Sequence, residues 1–474
     1  MTTILGRRKF LQASAATSIV AGSQIFTSLP AFADFAAGPA VRRNAFTMTA
    51  NDPILVGYRR AIQKMRALPD TNPCSWFYQA AIHGTTDPRG LPSWNTCHID
   101  PTFFWAWHRM YLYCFERIIR KFSGMYDWAI PFWDWTNPAQ LSLPAPFRDS
   151  TSILYDGSRY PSINGGAALS TSLGSSIASA MTLLDYFNAQ SSVSGPHGTV
   201  HISVGGNMVS VTSAALDPIF YVHHSEVDRQ WNQWLAQGGS RSSPVGNSTW
   251  RNTTYTFFDE CCQPISMKGC DVVRAARQLS YSYEGEPPQV EQYCPRFPFN
   301  IAEIVVLLQS RRPFILRERS VRIPVVPPEQ RAALPRLVQA ARSGANLALR
   351  LDRIEADKQP GVSWEVHVGP TGFAPNKESF VGIFGLFGAG LRTRVNHYHP
   401  ASFVFPLRRL ANLDPSRLEL VLVPVPGAPR EAGAERQVPV VPVSVGEVSI
   451  IVDSPMPELK REEQEQLRRE ELMG

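Results

Sequence analysis

At 474 residues the chain is longer than one ordinary hydrophobic core requires, which predicts two domains with extensions. Hydrophobic residues make up 44% of it and aromatic residues 11%, as expected for a well-packed globular protein. The formal net charge is +6, and half of it comes from Arg7, Arg8 and Lys9 at the N-terminus. The remaining chain is too weakly basic to indicate a nucleic-acid partner.

The first 33 residues have the features of an export signal. The sequence GRRKFLQ (6–12) resembles a twin-arginine signal, and LPAFA (29–33) offers the small residues that a signal peptidase accepts. The run between them is too polar for a membrane anchor, and no later stretch has 18 continuous apolar residues. We therefore expect a mature chain that starts near Asp34, has no membrane anchor and is periplasmic or secreted.

Composition then divides the chain. Helical periodicity at 53–67, 103–122, 174–189 and 217–236 predicts a mainly α domain over residues 34–295. A Pro- and Arg-rich connection follows at 296–345. Six short runs between 346 and 454 (LALRLDRIEA, VSWEVHV, SFVGIF, SFVFPL, LELVLVPV and VSIIVDS) predict an all-β sandwich. Residues 455–474 are expected to form a charged, solvated helical tail.

Seven cysteines in an exported protein leave at least one thiol unpaired. Four of them cluster late in the first domain and are the expected disulfide formers: Cys261, Cys262, Cys270 and Cys294. Cys114 falls in a helical pattern and is expected to be a buried thiol. The pairing of Cys74 and Cys97 stays open.

Seven of the ten histidines lie between residues 83 and 224. In HIDPTFFWAWHRMYLYCFE (98–116), His108 shares one side of a helix with Leu112 and Phe115, which directs its ring into the core. His98 lies in the loop before this helix, and His83 lies at the end of an earlier one. A single buried histidine is usually structural, so it is the grouping that indicates a site.

A second group follows in GPHGTVHISVGG (195–206). His197 and His201 are four residues apart, so a short helical turn that starts at Pro196 stacks both imidazoles on one face.

LDPIFYVHHSEVDRQW (216–231) predicts a helix whose first turn Asp217 caps. His224 and Asp228 share a face of it, where the carboxylate is a typical partner of a ligating imidazole, and His223 points about 100° away.

Three plus three histidines, without cysteine or carboxylate at matching spacing, indicate a metal that prefers imidazole. Zinc, copper, iron and nickel all accept this ligand. Catalytic zinc usually takes three protein ligands, so two symmetric sets favour a dinuclear copper centre that binds oxygen.

The patterns H-x5-F-x-x-W-H-R-x2-L-x3-E (98–116) and D-P-x-F-x-x-x-H-x3-D (217–228) resemble the copper-binding signatures of the tyrosinase and polyphenol oxidase family, and FWDW (132–135) fits it too. The resemblance covers about residues 45–295. It implies one copper on His83, His98 and His108, a second on His197, His201 and His224, and a supporting place for His223. One departure is Trp105, where the family usually has a smaller residue; we expect it to alter packing and not ligation.

The strand-rich region resembles the C-terminal domain of plant-type polyphenol oxidases, which implies a latent proenzyme with a side chain inserted over the copper entrance. Phe384 and Phe387 in GIFGLFGAG (382–390) are the candidates for this plug. His397 and His399 are expected in a surface loop, because no further ligand lies near them.

The activity that the resemblance implies is oxidation of o-diphenols to o-quinones with two copper ions and O2. Because ligating imidazoles must be deprotonated, copper loading is expected to fail at acidic pH. The alternative is a haemocyanin-like oxygen carrier, which uses the same six histidines without admitting a phenol. A single exported chain without tandem copies argues against it.

Hydroxylation of monophenols requires a base at the entrance. Hydroxylating members of the family often have Asn after the first ligand of the second copper, together with an upstream Glu. Here Gly198 takes that place and no carboxylate lies between Asp185 and His197. We therefore expect catechols to be oxidised well and monophenols weakly, unless the fold brings Asp185 to the entrance. The natural phenol and the oligomeric state stay open.

Overall fold

The structure is a computed structural model that describes residues 40–287, 292, 294, 304–388, 400–407, 414–427 and 441–455. The predicted export signal, the predicted charged tail beyond 455, and the pair His397 and His399 lie outside these residues. Within the described ranges, no helix is both long and apolar enough to cross a membrane.

Helices dominate the first half of the chain, and capping explains where several begin and end. Asp52 accepts a hydrogen bond from the backbone N–H of Ile54, and Ser75 accepts one from that of Tyr78. Gly124, with φ of 73°, ends the longest helix in the left-handed conformation that favours glycine. The helices are α1 (Pro53–Arg66), α2 (Trp76–His83), α3 (Phe104–Ser123), α4 (Pro161–Asn164), α5 (Ser172–Ala180), α6 (Tyr186–Val204), α7 (Ile219–Ala236), α8 (Ser248–Asn252) and α9 (Leu334–Arg342).

The predicted helices at 53–67, 103–122 and 217–236 are confirmed as α1, α3 and α7, but the region of α6 differs. Where one helix was predicted over 174–189, α5 ends and α6 begins after Asp185, whose side chain accepts a hydrogen bond from the N–H of Asn188 at 2.9 Å. The predicted helix start at Pro196 is wrong, because Pro196 lies inside α6. The hydroxyl of Thr199 donates to the carbonyl of Gly195, one turn earlier in the same helix, at 3.2 Å.

Strands dominate the second half of the chain, and one further short strand precedes the first helix. They are β1 (Ala40–Arg42), β2 (Thr254–Phe258), β3 (Pro264–Lys268), β4 (Tyr281–Tyr283), β5 (Val305–Ser310), β6 (Phe314–Leu316), β7 (Val321–Pro324), β8 (Leu347–Glu355), β9 (Val362–Pro370), β10 (Phe380–Gly385), β11 (Ala401–Pro406), β12 (Leu418–Pro426) and β13 (Val443–Val452). All six predicted runs form strands.

Two antiparallel sheets form the predicted sandwich. One has the order β10-β9-β12-β7, and the other has the order β11-β8-β13-β5, with β6 also paired to β13. Buried side chains from both sheets, including Leu349, Trp364, Leu420 and Ile450, share one core. The fold class of a mainly α domain followed by a β-sandwich is therefore confirmed.

The segment predicted as a connection at 296–345 belongs largely to this sandwich. Strands β5, β6 and β7 pair with β13 and β12, and α9 packs beside them. Proline and arginine suggested a linker, but β7 is an edge strand, where a residue such as Pro324 is tolerated. We call the described residues from 304 onward the shield, and those up to 294 the catalytic part.

The disulfide prediction needs correction. Cys74 pairs with Cys262, and Cys270 pairs with Cys294. Cys261 is exposed and unpaired, although it was expected to form a disulfide. Cys74 lies 188 positions before its partner, so only the tertiary fold brings the two together.

Candidate metal centre

The first histidine set comes from three separate segments. His83 is the last residue of α2, His98 lies in the loop before α3, and His108 lies within α3. Nδ1 of His83 donates to the carbonyl of Val211 at 3.0 Å, and Nδ1 of His108 donates to that of Phe104 at 2.7 Å. A protonated Nδ1 leaves the lone pair on Nε2, so each ring is held with that atom free for a metal.

The second set comes from α6 and α7. His197 and His201 share one face of α6, as predicted, with ring centroids 4.6 Å apart. Nδ1 of His201 donates to the carbonyl of Met208 at 2.8 Å. The ring of His224 lies 4.9 Å from that of His197, and its Nε2 lies 3.4 Å from Nε2 of His201.

His223 lies closer to this set than its predicted direction implies. Its ring centroid is 5.2 Å from that of His197 and 4.9 Å from that of His201. One ligand nitrogen of each of the four histidines lies within 4.8 Å of the others, and neither nitrogen of His223 has a hydrogen-bond partner. Helix α7 thus offers two imidazoles, and the choice of His224 as the ligand stays a prediction.

The two sets face each other. The rings of His108 and His224 are stacked with centroids 4.0 Å apart, and ligand nitrogens of His83, His108 and His224 lie within 4.8 Å of one another. The fold therefore brings all six predicted ligands into one buried region, in an arrangement suited to two neighbouring ions.

Aromatic rings enclose this region. Phe104 lies 5.2 Å from His108 and 4.9 Å from His197, and Phe220 lies 4.3 Å from His224, measured between ring centroids. These rings exclude water and restrict the rotation of the imidazoles.

Asp228 was expected beside a ligating imidazole, but its hydrogen bonds go elsewhere. They come from four buried side chains: Arg42, Arg109, Tyr281 and Tyr283. Burial acts to raise the pKa of Asp228, but the guanidinium groups of Arg109 and Arg42 outweigh it and hold that pKa below its ordinary value. Asp228 therefore fixes α7 against its neighbours and does not orient a histidine.

Arg42 is a part of this support that sequence reasoning missed. It lies in β1, which pairs in parallel with β4, and its Nε also donates to Glu116 of α3 at 3.1 Å. One buried arginine thus links the first strand to both α3 and α7. The only local signal was the alternation of Tyr281 and Tyr283, which directs both phenols to one face.

One side chain of the shield reaches the histidines. The ring of Phe387 stacks on that of His201, with centroids 3.8 Å apart, and lies 5.8 Å from the rings of His98 and His197. Phe384 instead packs inside the sandwich, 4.8 Å from Phe403. Of the two candidate plugs, only Phe387 contacts the histidines.

A cavity of about 390 Å³ adjoins this contact and is lined by His98, His197 and Phe387. Asp185, considered as a base, caps the far end of α6 and is absent from the lining residues. Asp100 is the carboxylate among the described lining residues, and it already accepts hydrogen bonds from the backbone and hydroxyl of Thr102.

Comparisons with known proteins identify the family. The common central domain of tyrosinase matches residues 73–175 and 148–237, and the polyphenol oxidase middle domain matches residues 245–292. A tyrosinase of Hahella sp. (strain CCB-MM4) is 30% identical over 404 residues, covering 73% of this chain and 85% of the relative. The chain belongs to the tyrosinase and polyphenol oxidase family.

Plant members share the fold. The latent polyphenol oxidase of Prunus armeniaca is 29% identical over 279 residues, covering 49% of this chain and 47% of the relative, so the chain matches about half of that protein's length. The structure of latent apple tyrosinase superposes with a TM-score of 0.63 at 24% identity, covering 88% of this chain and 98% of that one. The structure of a recombinant latent aurone synthase superposes with a TM-score of 0.61 at 23% identity, covering 89% of this chain and 90% of that one.

Members of this family are oxidoreductases with two copper ions, and the donor atoms here fit that cofactor. Nε2 of His83, His98, His197 and His223 is buried without a hydrogen-bond partner. An unpaired buried polar atom costs about 1–3 kcal/mol, which ligation of a metal removes. Imidazole nitrogens alone are a donor set that copper accepts.

Burial also keeps these ligands neutral. It lowers the pKa of His98 to about 4 and that of His108 to about 3. It lowers the pKa of the histidines on α6 and α7 well below the ordinary value, and neighbouring imidazoles add to the effect. At neutral pH the lone pairs that bind copper are therefore free of protons.

Cys97 is a further group near the first set. It is buried and unpaired, and its Sγ lies 3.4 Å from Nε2 of His108. Its Sγ and one ligand nitrogen each of His83 and His98 lie within 4.8 Å of one another. Burial raises the pKa of this thiol, which favours its protonated form.

Proposed function

We propose that this chain is a latent copper oxidase that uses O2 to oxidise o-diphenols to o-quinones. The observation that carries the proposal is the ring of Phe387, stacked on His201 in a region that contains the six histidines which the family resemblance implies as copper ligands. A phenol ring has the same shape as the side chain of Phe387, so the site that the shield fills suits a substrate of this class.

The copper ions, when bound, supply electron transfer between the phenol and O2. The protein contributes neutral imidazoles, fixed by backbone carbonyls at Val211, Phe104 and Met208. It also contributes the aromatic enclosure, which keeps water away from the reacting atoms. In the balanced reaction, two catechols lose four electrons and four protons, and one O2 takes them up as two water molecules.

Access to the centre depends on the shield. The 390 Å³ cavity is large enough for a single-ring phenol, but Phe387 stands between it and His201. A substrate ring can stack on His201 only after Phe387 has moved. Full activity therefore requires displacement or removal of the shield.

A preference for diphenols follows from the entrance. A monophenol must lose its hydroxyl proton to a base before it binds copper. Gly198 has no side chain to hold a water there, and Asp185 is occupied at the start of α6. Asp100 is the remaining candidate, and its Oδ1 already accepts hydrogen bonds from the backbone N–H and the hydroxyl of Thr102.

The test compares O2 uptake with catechol and with tyramine, before and after cutting at a protease site introduced between Cys294 and Val305. We expect two coppers per chain, a faster catechol reaction once the shield is released, and a tyramine rate far below the catechol rate. Copper-loaded protein that binds O2 but never oxidises catechol contradicts the oxidase and supports an oxygen carrier. Equal rates on both phenols contradict the diphenol preference, and Asp100→Asn then tests whether Asp100 is the base.

We also propose twin-arginine export, on the basis of the GRRKFLQ sequence (6–12). Mass spectrometry of the mature protein is expected to find Asp34 near its N-terminus. Replacement of both Arg7 and Arg8 by Lys should leave the uncut precursor inside the cell, and normal export of that variant contradicts the proposal.

A further inference from the structure

Helix α6 of the catalytic part contacts strand β10 of the shield at glycines. A Cβ atom at Gly195 would lie 2.8 Å from the carbonyl oxygen of Ile383 and 3.1 Å from Cβ of Phe384. A Cβ atom at Gly198 would collide with the carbonyl oxygen of Gly385. Glycine in a helix interior is destabilising relative to alanine, so two of them three residues apart require a reason.

The shield side of the contact is equally close. A Cβ atom at Gly385 would lie 2.7 Å from the backbone nitrogen of Thr199 and 2.8 Å from the carbonyl carbon of Gly198. These distances are shorter than real Cβ contacts, and on both sides the obstacle is backbone, which cannot rotate away. The two backbones touch only because all three positions lack a side chain.

The contact also determines where the plug lies. The backbone N–H of Phe387 donates to the carbonyl of Gly385 at 3.1 Å. The position of Phe387 is therefore tied to that of Gly385. On the same edge of β10, the N–H of Ile383, whose carbonyl faces Gly195, donates to the hydroxyl of Ser176 on α5 at 2.8 Å, which adds a second attachment of the strand to the catalytic part. A shift of β10 away from α6 therefore withdraws Phe387 from His201.

We propose that Gly195, Gly198 and Gly385 form a docking seam that holds the shield closed, and that latency itself requires the missing side chain at residue 198. This inference rests on the proposed latency. Residue 198 thus has a role beyond substrate preference: any side chain there, whatever its chemistry, forces β10 outward and opens the enzyme.

Gly385→Ala and Gly198→Ala test the seam from its two sides. Gly385 belongs to the shield, so the catalytic piece of that variant is identical to wild type after cutting. Gly198→Ala leaves the shield sequence unchanged, so an unfolded shield cannot explain its effect. For each variant, the catechol rate of the uncut chain is divided by the rate of its own catalytic piece after release of the shield.

We expect this ratio to rise at least fivefold over wild type in both variants. After cutting, size-exclusion chromatography measures how tightly the shield piece stays bound, and we expect its dissociation constant to rise at least tenfold. Gly369→Ala is the matched control: its Cβ would lie 2.8 Å from the ring of Phe373 within the shield, away from α6. Gly369→Ala should leave the rate ratio and the dissociation constant of the shield piece close to their wild-type values.

The outcomes separate the two proposals. If wild type is latent and both seam variants stay latent with shields bound as tightly as before, the seam is wrong and latency stands. If uncut wild type is already as fast as its released catalytic piece, latency fails and the seam loses its role with it. If Gly369→Ala opens the enzyme as much as the seam variants do, general weakening of the shield explains the result and the seam is wrong.

Discussion

The two histidine sets differ in what holds them. His83 and His108 are oriented by carbonyls of the catalytic part, and His98 lies in a loop of the same part. His197 and His201 lie on α6, which is also the helix that β10 of the shield contacts. The first histidine set is therefore held by the catalytic part alone, whereas the helix that carries two histidines of the second set also contacts the shield. Shield movement is expected to act on the second site first.

The distance between the two histidine sets is nevertheless fixed, because buried ion pairs join helices α3 and α7, which carry histidines of both sets. Asp228 of α7 accepts hydrogen bonds from Arg109 of α3 and from Arg42 of β1, while Arg42 also binds Glu116 of α3. Breaking a buried ion pair leaves an uncompensated charge and costs roughly 3–5 kcal/mol. This network makes the spacing between α3 and α7 a property of the catalytic part, independent of the shield.

Removing one ligand from each set should have the largest effect. His108→Ala and His224→Ala are each expected to reduce copper from two ions per chain to about one and to lower catechol oxidation to background, because both ions are needed for the reaction. Metal analysis and O2 uptake on the purified variants measure this. A variant that keeps two coppers and full turnover contradicts the assignment.

Two further histidines serve as comparisons. His223→Ala should be milder, with a loss of roughly 10- to 100-fold if it only supports the ligands. If it proves as damaging as His224→Ala, then His223 is the ligand on α7. His367→Ala, in the shield, removes a buried histidine that contacts Ser379 and should leave the copper content at two.

Acid should destabilise the copper-free protein strongly. The folded chain holds His98 with a pKa of about 4 and His108 with a pKa of about 3, whereas unfolded histidine titrates near 6.5. Below pH 6.5 these histidines bind protons in the unfolded state but not in the folded state. The free energy of unfolding therefore falls by about 1.4 kcal/mol for each unit that the pH is lowered, for each such group. Urea unfolding at pH 7.5 and 5.5 should show the loss. The copper-free His108→Phe variant should lose less unfolding free energy between these two pH values than the copper-free wild type. An equal loss in the two proteins contradicts a contribution from His108.

Opening the second site should produce a gain of activity. Phe387→Ala removes the ring stacked on His201 and is expected to raise the catechol rate of the uncut chain by roughly tenfold, or about 1.4 kcal/mol. Phe384→Leu is the comparison, because its ring packs against Phe403 and does not reach the histidines. It should lower shield stability with a smaller gain in rate. A reversed order identifies Phe384 as the plug.

A smaller gain is expected at Asp453, a shield residue whose carboxylate accepts hydrogen bonds from the backbone of Leu184 and Asp185 and from the side chain of Asn188. Asp453→Ala leaves these donors at the start of α6 unpaired and should raise the uncut catechol rate two- to fivefold, equivalent to roughly 0.4–1 kcal/mol. Asp414→Ala, at a shield aspartate that bonds within its own loop, should have no effect. A rate unchanged in both means that Asp453 does not secure the shield.

The sequence was most informative where the signal is local. Four-residue spacing placed His197 and His201 together, and alternation of apolar residues located six strands, because both depend only on the period of the element. Trp105, which departs from the family pattern, stacks on Trp231 with ring centroids 6.0 Å apart.

One error was local: proline often starts a helix, yet the cap at Asp185 starts α6 before Pro196 is reached. The other misses arose where distant segments decide the outcome. Arg42 and Tyr283 are 241 positions apart, so no local pattern revealed their contact. The choice between Phe384 and Phe387 likewise depends on how β10 packs against α6, which spacing alone does not determine.

The position of the disulfides determines how the shield can leave. Both bridges lie in the catalytic part, and the sequence has no cysteine after Cys294. A single backbone cut after Cys294 therefore leaves no covalent bond between the shield and the catalytic part, and no reductant is needed. While the chain is intact, the tether keeps the shield at an effective concentration of order millimolar, so an opened enzyme closes again at any dilution. After the cut, closing becomes a bimolecular event, and dilution alone makes activation permanent.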